Sequence, residues 1–435
     1  MRKKLLSEGS KEFKYEIREI VKKANQLKAL GLEIHWENIG DPIEKKCQVP
    51  AWIKDIMASL VQLNHSYGYC PSKGNLATRE FICKKTNALS GGSGAQITPE
   101  DILFFNGLGD AISTTYQLLD ITSRVIGPSP AYSTHSSAEA AHANTEPITY
   151  RLDPDNHWYP DLEELENKVK YNPNIVGILI INPDNPTGMV YPFESLKKIV
   201  QIAKEYKVFV ISDEIYNKIV YNGAKSYSLA EYIGDVPGIA MKGLSKEVPW
   251  PGSRCGWLEF YNRDKDSEFA AFCSALDNAK MIEVCSTALP QLALPLILGD
   301  SRYEIHRANL NEQIGRRSAL INKILGEVPE LKFNPTYGAF YNSIIFRDGV
   351  LNSKQTLPIE NPKIRAKVEE WCEGVSPDYR FVYYLLGATG VCVVPMSSFC
   401  CDLQGFRITI LEEDERELTK VFTSIRDAIR DYVKV

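Results

Sequence analysis

The stretch from residue 176 to residue 213 constrains the fold more than any other. "VGILIIN" (176–182) and "VFVISD" (208–213) are apolar runs with no polar alternation. Between them, "FESLKKIVQIAKEYK" (193–207) repeats apolar residues at helical spacing, with Leu196, Ile199, Val200 and Ala203 on one face. Short uninterrupted apolar runs read as strands covered on both sides, and two strands joined through an amphipathic helix lie parallel. The pattern extends in both directions: "DILFFN" (101–106) precedes "DAISTTYQLLD", and "GIAMK" (238–242) follows. The spacing predicts an α/β architecture with a large, mostly parallel sheet.

After about residue 300 the character changes. A charged helical stretch, "RYEIHRANLNEQIGRRSALINKIL", leads to strand-like "GAFYNSIIF", "GVCVVP" and "FRITIL". These segregated elements read as a smaller α+β domain, giving a large domain over 48–300 and a small one from 1–47 plus 301–435. The glycine-rich loop 88–100 fits no phosphate-binding pattern and reads as a flexible connection.

Composition narrows the function classes. The 435 residues are 44% hydrophobic and 24% charged, with a net charge of −5, which is ordinary for a soluble globular chain. An acidic balance without a basic, aromatic-studded cluster argues against nucleic acid as a partner. The N-terminal "MRKKLLSEGSKEFKYEIREIV" has no long apolar segment, so neither a secretory signal nor a membrane anchor is expected. Ten scattered cysteines without a C-x-x-C pair suggest buried thiols in a reducing cytoplasm, and the adjacent Cys400 and Cys401 do not read as a metal site. The six histidines show no ligand spacing and read as structural; no metal is expected.

The chemistry-bearing residues fall at the ends of the strands. "NGLGDAI" follows the first run, "NPDNPTG" the second, "SDEIY" the third and "GLSK" the fourth. In open α/β sheets ligands bind outside the carboxyl ends of the strands, so these segments place Asn185, Asp213, Tyr216 and Lys246 around one crevice. Just beyond comes "EVPWPGSR", which brings Arg254.

This ordered set resembles the class I aminotransferases, pyridoxal-phosphate enzymes with an aspartate aminotransferase-like fold. Corresponding features run from Gly40 in "NIGDP" to Arg407 in "FRITIL". The resemblance implies that Lys246 binds the cofactor aldehyde covalently and carries protons once released. It makes Asp213 the partner of the pyridine nitrogen, Asn185 and Tyr216 donors to the phenolic oxygen, and Tyr132 the ring stacked on the cofactor. The phosphate would be held by the backbone of Leu108 and Gly109, by Ser245 and by Arg254. Tyr69 in "YCPSKG" matches a tyrosine reaching the neighbouring subunit's phosphate, which implies a homodimer. Arg407 would clamp the substrate α-carboxylate, with Asn185 and the Gly40 backbone assisting.

Within the family, "KGLSK", "YEIR", "GYCPSKG" and "FRITIL" look most like the alanine aminotransferase branch, implying transfer between alanine and a 2-oxo acid such as 2-oxoglutarate. An aminotransferase for aspartate, aromatic amino acids or diaminopimelate, or a C–S lyase, would keep nearly all the same residues. A nicotinamide enzyme reading Gly107-Leu108-Gly109 as a dinucleotide fingerprint lacks the third glycine, where Ile112 stands. An amine-sensing regulator on this fold would need a DNA-binding segment, for which no spare stretch exists. Three positions depart from the family pattern: Gly243 and Gly109 stand where hydroxyl residues are frequent, and Met396 where glycine is usual.

One requirement is left open by these residues. Arg407 can neutralise only one carboxylate of a diacid, and a desolvated carboxylate without a partner is strongly disfavoured. The segment "FKYEIREIV" supplies a candidate. With Phe13, Ile17, Ile20 and Val21 on one helical face, Tyr15 and Arg18 stand side by side. The expectation is that this segment crosses the site mouth, Tyr15 covering the substrate and Arg18 pairing with the distal carboxylate.

Overall fold

The computed structural model describes residues 7–12 and 16–434. Eight strands form the principal sheet: β1 (Ile102–Phe105), β2 (Arg124–Ser129), β3 (Thr149–Asp153), β4 (Tyr159–Pro160), β5 (Ile175–Ile181), β6 (Phe209–Asp213), β7 (Gly238–Gly243) and β8 (Gly256–Tyr261). Their spatial order is β1-β8-β7-β6-β5-β2-β3-β4. The five strands from β7 to β3 run parallel, while β8 is antiparallel to both its neighbours and β4 is antiparallel to β3. The mostly parallel sheet predicted from the apolar runs is therefore present.

The reason lies in burial on both faces. In β5 every residue except Val176 is buried, and the helix Phe193–Tyr206 lays Leu196, Ile199, Val200, Ile202 and Ala203 onto the sheet. That helix stops at Lys207 in the left-handed region, φ 56°, before β6 begins. Register fixes the site. Ile181 stands opposite Asp213 and Asp213 opposite Met241, so β5 and β6 end level while β7 runs two residues further, to Gly243.

A second core gathers the remaining elements. β9 (Leu331–Lys332), β10 (Tyr341–Phe346), β11 (Val394–Pro395) and β12 (Gly405–Thr409) form an antiparallel sheet in the order β9-β10-β12-β11. Helices Glu16–Lys28, Pro377–Thr389 and Glu415–Tyr432 pack with it, through Ile20, Ala24, Leu27, Phe381, Leu385, Phe422 and Ile425. The 25-residue helix Ser301–Leu325 belongs to both: Tyr303 joins the core of the principal sheet, while Ile314 and Ile321 join the second.

The loop 88–100 differs from the plain connection expected of it. It contains two 3₁₀ turns, and the side chains of Asn87 and Gln96 bond its backbone at Ile97, Gly94 and Gly92. Among the ten cysteines four are buried and Cys400 is exposed, so the all-buried expectation holds only in part. Among the described residues no single helix is long and apolar enough to cross a membrane.

Candidate active site

Asp213, the last residue of β6, is 2% exposed. Its Oδ1 accepts the N–H of Ile215 at 3.1 Å, and its Oδ2 lies 3.0 Å from Nε2 of His135. His135 sits in the first turn of helix Ser133–Ala143, which Tyr132 precedes. The Tyr116 hydroxyl lies 3.5 Å from the other imidazole nitrogen. Burial pushes the Tyr116 phenol well above its ordinary range, so it stays protonated. A phenol donating to Nδ1 fits the tautomer whose Nε2–H points at Asp213. His135 is thus part of the site, which the absence of ligand spacing had hidden. Its position one helical turn after Tyr132 was the available signal.

The "NPDNPTG" loop folds around its own Asp184. That buried carboxylate accepts from the backbone and hydroxyl of Thr187, and burial raises it to about 7. Gly188 has φ +73°, and a Cβ there would stand 2.2 Å from the carbonyl oxygen of Tyr341, so only glycine lets the loop close onto β10. The result presents Asn185 to Arg407, whose Nη1 donates to Asn185 Oδ1 at 3.1 Å.

Arg407 is 1% exposed. Its Nη2 donates to the carbonyl of Asn38 at 2.7 Å, and the guanidinium lies over the rings of Tyr341 and Phe399, 4.4 and 5.1 Å from their centroids. Its Nε and both amide atoms of the buried Asn38 have no hydrogen-bond partner. Among the described residues no carboxylate forms an ion pair with Arg407. A buried cation held by neutral acceptors is suited to an incoming anion.

Lys246 projects into the same crevice. Its Nζ donates to the carbonyl of Gly40 at 2.7 Å and lies 5.8 and 5.5 Å from the ring centroids of Tyr216 and Phe340. The side chain keeps partial access to the crevice, yet burial lowers its ammonium to about 8. Asp41 and Asp213 oppose that shift; the charges of Arg407 and Arg254 add to it. Such an amine is readily available unprotonated. The Tyr216 hydroxyl lies 3.1 Å from that of Tyr341, and a Cβ on Gly40 would fall 1.8 Å from the Tyr341 oxygen. Tyr341 thus joins Tyr216, Gly40 and Arg407, a role that strand alternation in "GAFYNSIIF" left undecided.

At the rear of the crevice helix Leu108–Gln117 starts after Gly107, with no side-chain cap on its first turn. A Cβ on Gly107 would meet the Arg254 guanidinium at 2.4 Å. Arg254 itself has φ 48° and donates to the carbonyls of Pro251 and Asn106 at 3.1 and 3.3 Å. The neighbouring Ser253 hydroxyl is buried without a partner. Uncapped N–H groups at Leu108 and Gly109, a fixed guanidinium and an unused hydroxyl make a cradle for a phosphate.

The two departures in this cradle differ. A Cβ on Gly109 meets nothing within 4 Å, whereas one on Gly243 would lie 2.9 Å from the carbonyl oxygen of Cys255. Met396 is fully buried in the core of the principal sheet. Ser245 lies partly exposed beside Lys246, and Tyr69 is 87% exposed. Arg18 is exposed on helix Glu16–Lys28, and Tyr15 lies outside the described residues.

Residues 38–425 match the family of class I and II aminotransferases. The chain is an aminotransferase of this family. It is 50% identical, over the full length of both chains, to an uncharacterized aminotransferase of Methanocaldococcus jannaschii. It is 31% identical to the glutamate-pyruvate aminotransferase AlaA of Escherichia coli, over 72% of this chain and 76% of that one. Among solved structures, an alanine aminotransferase from Pyrococcus furiosus superposes with a TM-score of 0.84 at 26% identity, covering 98% of this chain and 99% of that one. The aminotransferase therefore has the enzyme class and fold expected from its strand-end motifs. Members of this family use pyridoxal phosphate in general and act on small amino and oxo acids.

Proposed function

We propose that this aminotransferase moves an amino group between an L-amino acid, alanine in first place, and a 2-oxo acid such as 2-oxoglutarate. Pyridoxal phosphate, bound through Lys246, would supply an aldehyde to take the amino group and a ring to draw electrons from the substrate α-carbon. Asp213, oriented by His135, would keep the pyridine nitrogen protonated. Asn185 and Tyr216 would donate to the phenolic oxygen and Tyr132 would cover the ring face. Leu108, Gly109, Ser245 and Arg254 would hold the phosphate. Arg407, Asn185 and the Gly40 backbone would bind the α-carboxylate and set the α-carbon near Lys246. The Lys246 amine, which gives up its proton more readily than an ordinary lysine, would then take the α-proton and return it.

The observation that carries this reading is Arg407: a buried guanidinium without a carboxylate partner among the described residues, in the same crevice as a lysine whose ammonium is lowered to about 8. The alanine assignment rests on the AlaA and alanine aminotransferase relatives. The domain division at 48–300 against 1–47 plus 301–435, a homodimer sharing Tyr69 across the interface and a cytoplasmic location belong to the same proposal. The exposure of Tyr69 and of Tyr67 beside it, 87% and 75%, supports a partner at that surface.

Arg18 and Tyr15 remain the proposed cover of the site and partner of the distal carboxylate. Gly9 packs against Ala141 of the helix that follows Tyr132, while Ile20 and Leu27 enter the second core. These seated stretches flank Tyr15 in the sequence, and Arg18 stands on the second of them. Turnover of alanine that depends on added 2-oxoglutarate and yields glutamate tests the reading. Release of ammonia and pyruvate without an acceptor would overturn it in favour of a lyase.

A further inference from the structure

A cavity of about 290 Å³ lies behind the strand ends that carry Asp213 and Lys246. It holds roughly ten times one water's share of liquid volume. Part of its wall is apolar, from Phe81, Leu89 and Leu298. Two of its cations are already matched. Lys242 bonds Glu259 at 2.8 Å with Glu214 at 3.5 Å, and Arg307 pairs with Glu304.

Lys218 and Glu247 are not matched in this way. Both line the cavity, and among the described residues neither forms an ion pair within 4.0 Å. The Tyr303 hydroxyl, on a side chain only 3% exposed, faces Glu247 without a hydrogen bond of ordinary geometry. Burial lowers the Lys218 ammonium and raises the Glu247 carboxyl, each partly offset by the other's charge. Both charges face the same cavity and attract one another. A simple anion would satisfy Lys218 and be repelled by Glu247; a simple cation would do the reverse.

We propose that this cavity binds a second α-amino acid as its zwitterion, carboxylate toward Lys218, ammonium toward Glu247, and an apolar side chain against Phe81, Leu89 and Leu298. The site is separate from the one around Arg407 and does not depend on which reaction the enzyme performs. Glu247 follows Lys246 in the chain and Glu214 follows Asp213, so occupancy bears directly on the backbone holding the reactive lysine and its partner carboxylate.

Calorimetric titration of the cofactor-loaded protein with L-proline tests this. Proline is an apolar zwitterion whose secondary amine forms no neutral imine with an aldehyde, so binding is read without turnover. Saturable binding is expected, weakened tenfold or more by Lys218→Met and by Glu247→Gln, and unchanged by Arg407→Ala. Acetate and methylammonium, each half of the zwitterion, should bind at least tenfold more weakly than proline. Leu89→Trp, which enlarges an apolar wall residue and leaves both charges in place, should abolish binding even if a charge variant fails to fold. The proposal is overturned if proline does not bind, if Arg407→Ala alone removes the binding, if Leu89→Trp leaves it intact, or if acetate or methylammonium binds as tightly.

Discussion

The imidazole of His135 and the carboxylate of Asp213 lie 3.0 Å apart, both almost wholly out of solvent. If Asp213 pairs with the cofactor ring nitrogen as proposed, its orientation must be fixed beforehand, and His135 would supply this from a different element. A hydrogen bond to a charged group contributes about 1.5–3 kcal/mol. His135→Ala should therefore weaken cofactor affinity by about tenfold or more, and His135→Gln should restore part of the loss. Cofactor titration followed by absorbance checks this; equal affinities in all three proteins would make the contact incidental.

Lys246 is expected to be the covalent attachment point. Borohydride reduction and peptide mapping should place the adduct on Lys246 and not on Lys242, which is held by Glu259 and Glu214. Lys246→Ala should lose the adduct and about 10²–10⁴-fold of the transamination rate through loss of the general base alone.

The same lysine sets a pH dependence in the cofactor-free protein. Folding lowers its ammonium from 10.5 to about 8. Between those values the unfolded chain holds the proton more tightly than the folded one, so stability rises with pH across that window. Below it the buried charge is a constant penalty of order 3 kcal/mol. Lys246→Met should be more stable than the parent apoprotein at pH 7, with the gap closing as the pH approaches 10.5. Denaturant melts at several pH values measure it, and a gap that widens with pH would contradict the assignment.

In the proposed site Arg254 would carry a large share of phosphate binding, because Gly109 and Gly243 offer no hydroxyls. Arg254→Ala should reduce cofactor affinity about tenfold or more. Gly109→Ser has open space and should tighten binding. Gly243→Ser should not, since its Cβ would press on the Cys255 carbonyl. Titration of the three variants separates the two glycines; a tighter Gly243→Ser protein would refute the steric argument.

Arg407 and Arg18 should separate in substrate kinetics. Arg407→Ala is expected to raise KM for every substrate, because each carries an α-carboxylate. Arg18→Ala should raise KM for 2-oxoglutarate and glutamate far more than for alanine and pyruvate, the pattern of a contact made with one substrate pair only. Equal effects of Arg18→Ala on both pairs would leave the distal carboxylate to another group.

What could be seen in the sequence was what strand ends expose. Asp213 and Lys246 were legible because a polar residue after an apolar run has few places to go but the crevice mouth. The smaller antiparallel sheet was legible from the strand-like runs that follow residue 330. His135 was not, because its role depends on which way one helix turn faces β6, and no spacing rule reports that. Tyr341 escaped for a similar reason: adjacent aromatics at the start of a strand do not declare which of them faces the site. Nor does a glycine announce whether the space beside it is empty, as at Gly109, or full, as at Gly243.

The N-terminal segment has a mechanical consequence. Glu8–Glu12 rest on helix Ser133–Ala143, and helix Glu16–Lys28 rests on the second core. Only four residue steps separate Glu12 from Glu16, and a chain fully extended spans at most about 3.6 Å per step. While both ends stay seated, the two lobes cannot part there by more than about 14 Å. Chain length alone sets that limit, so widening the cleft beyond it requires one of the two seated ends to peel away first.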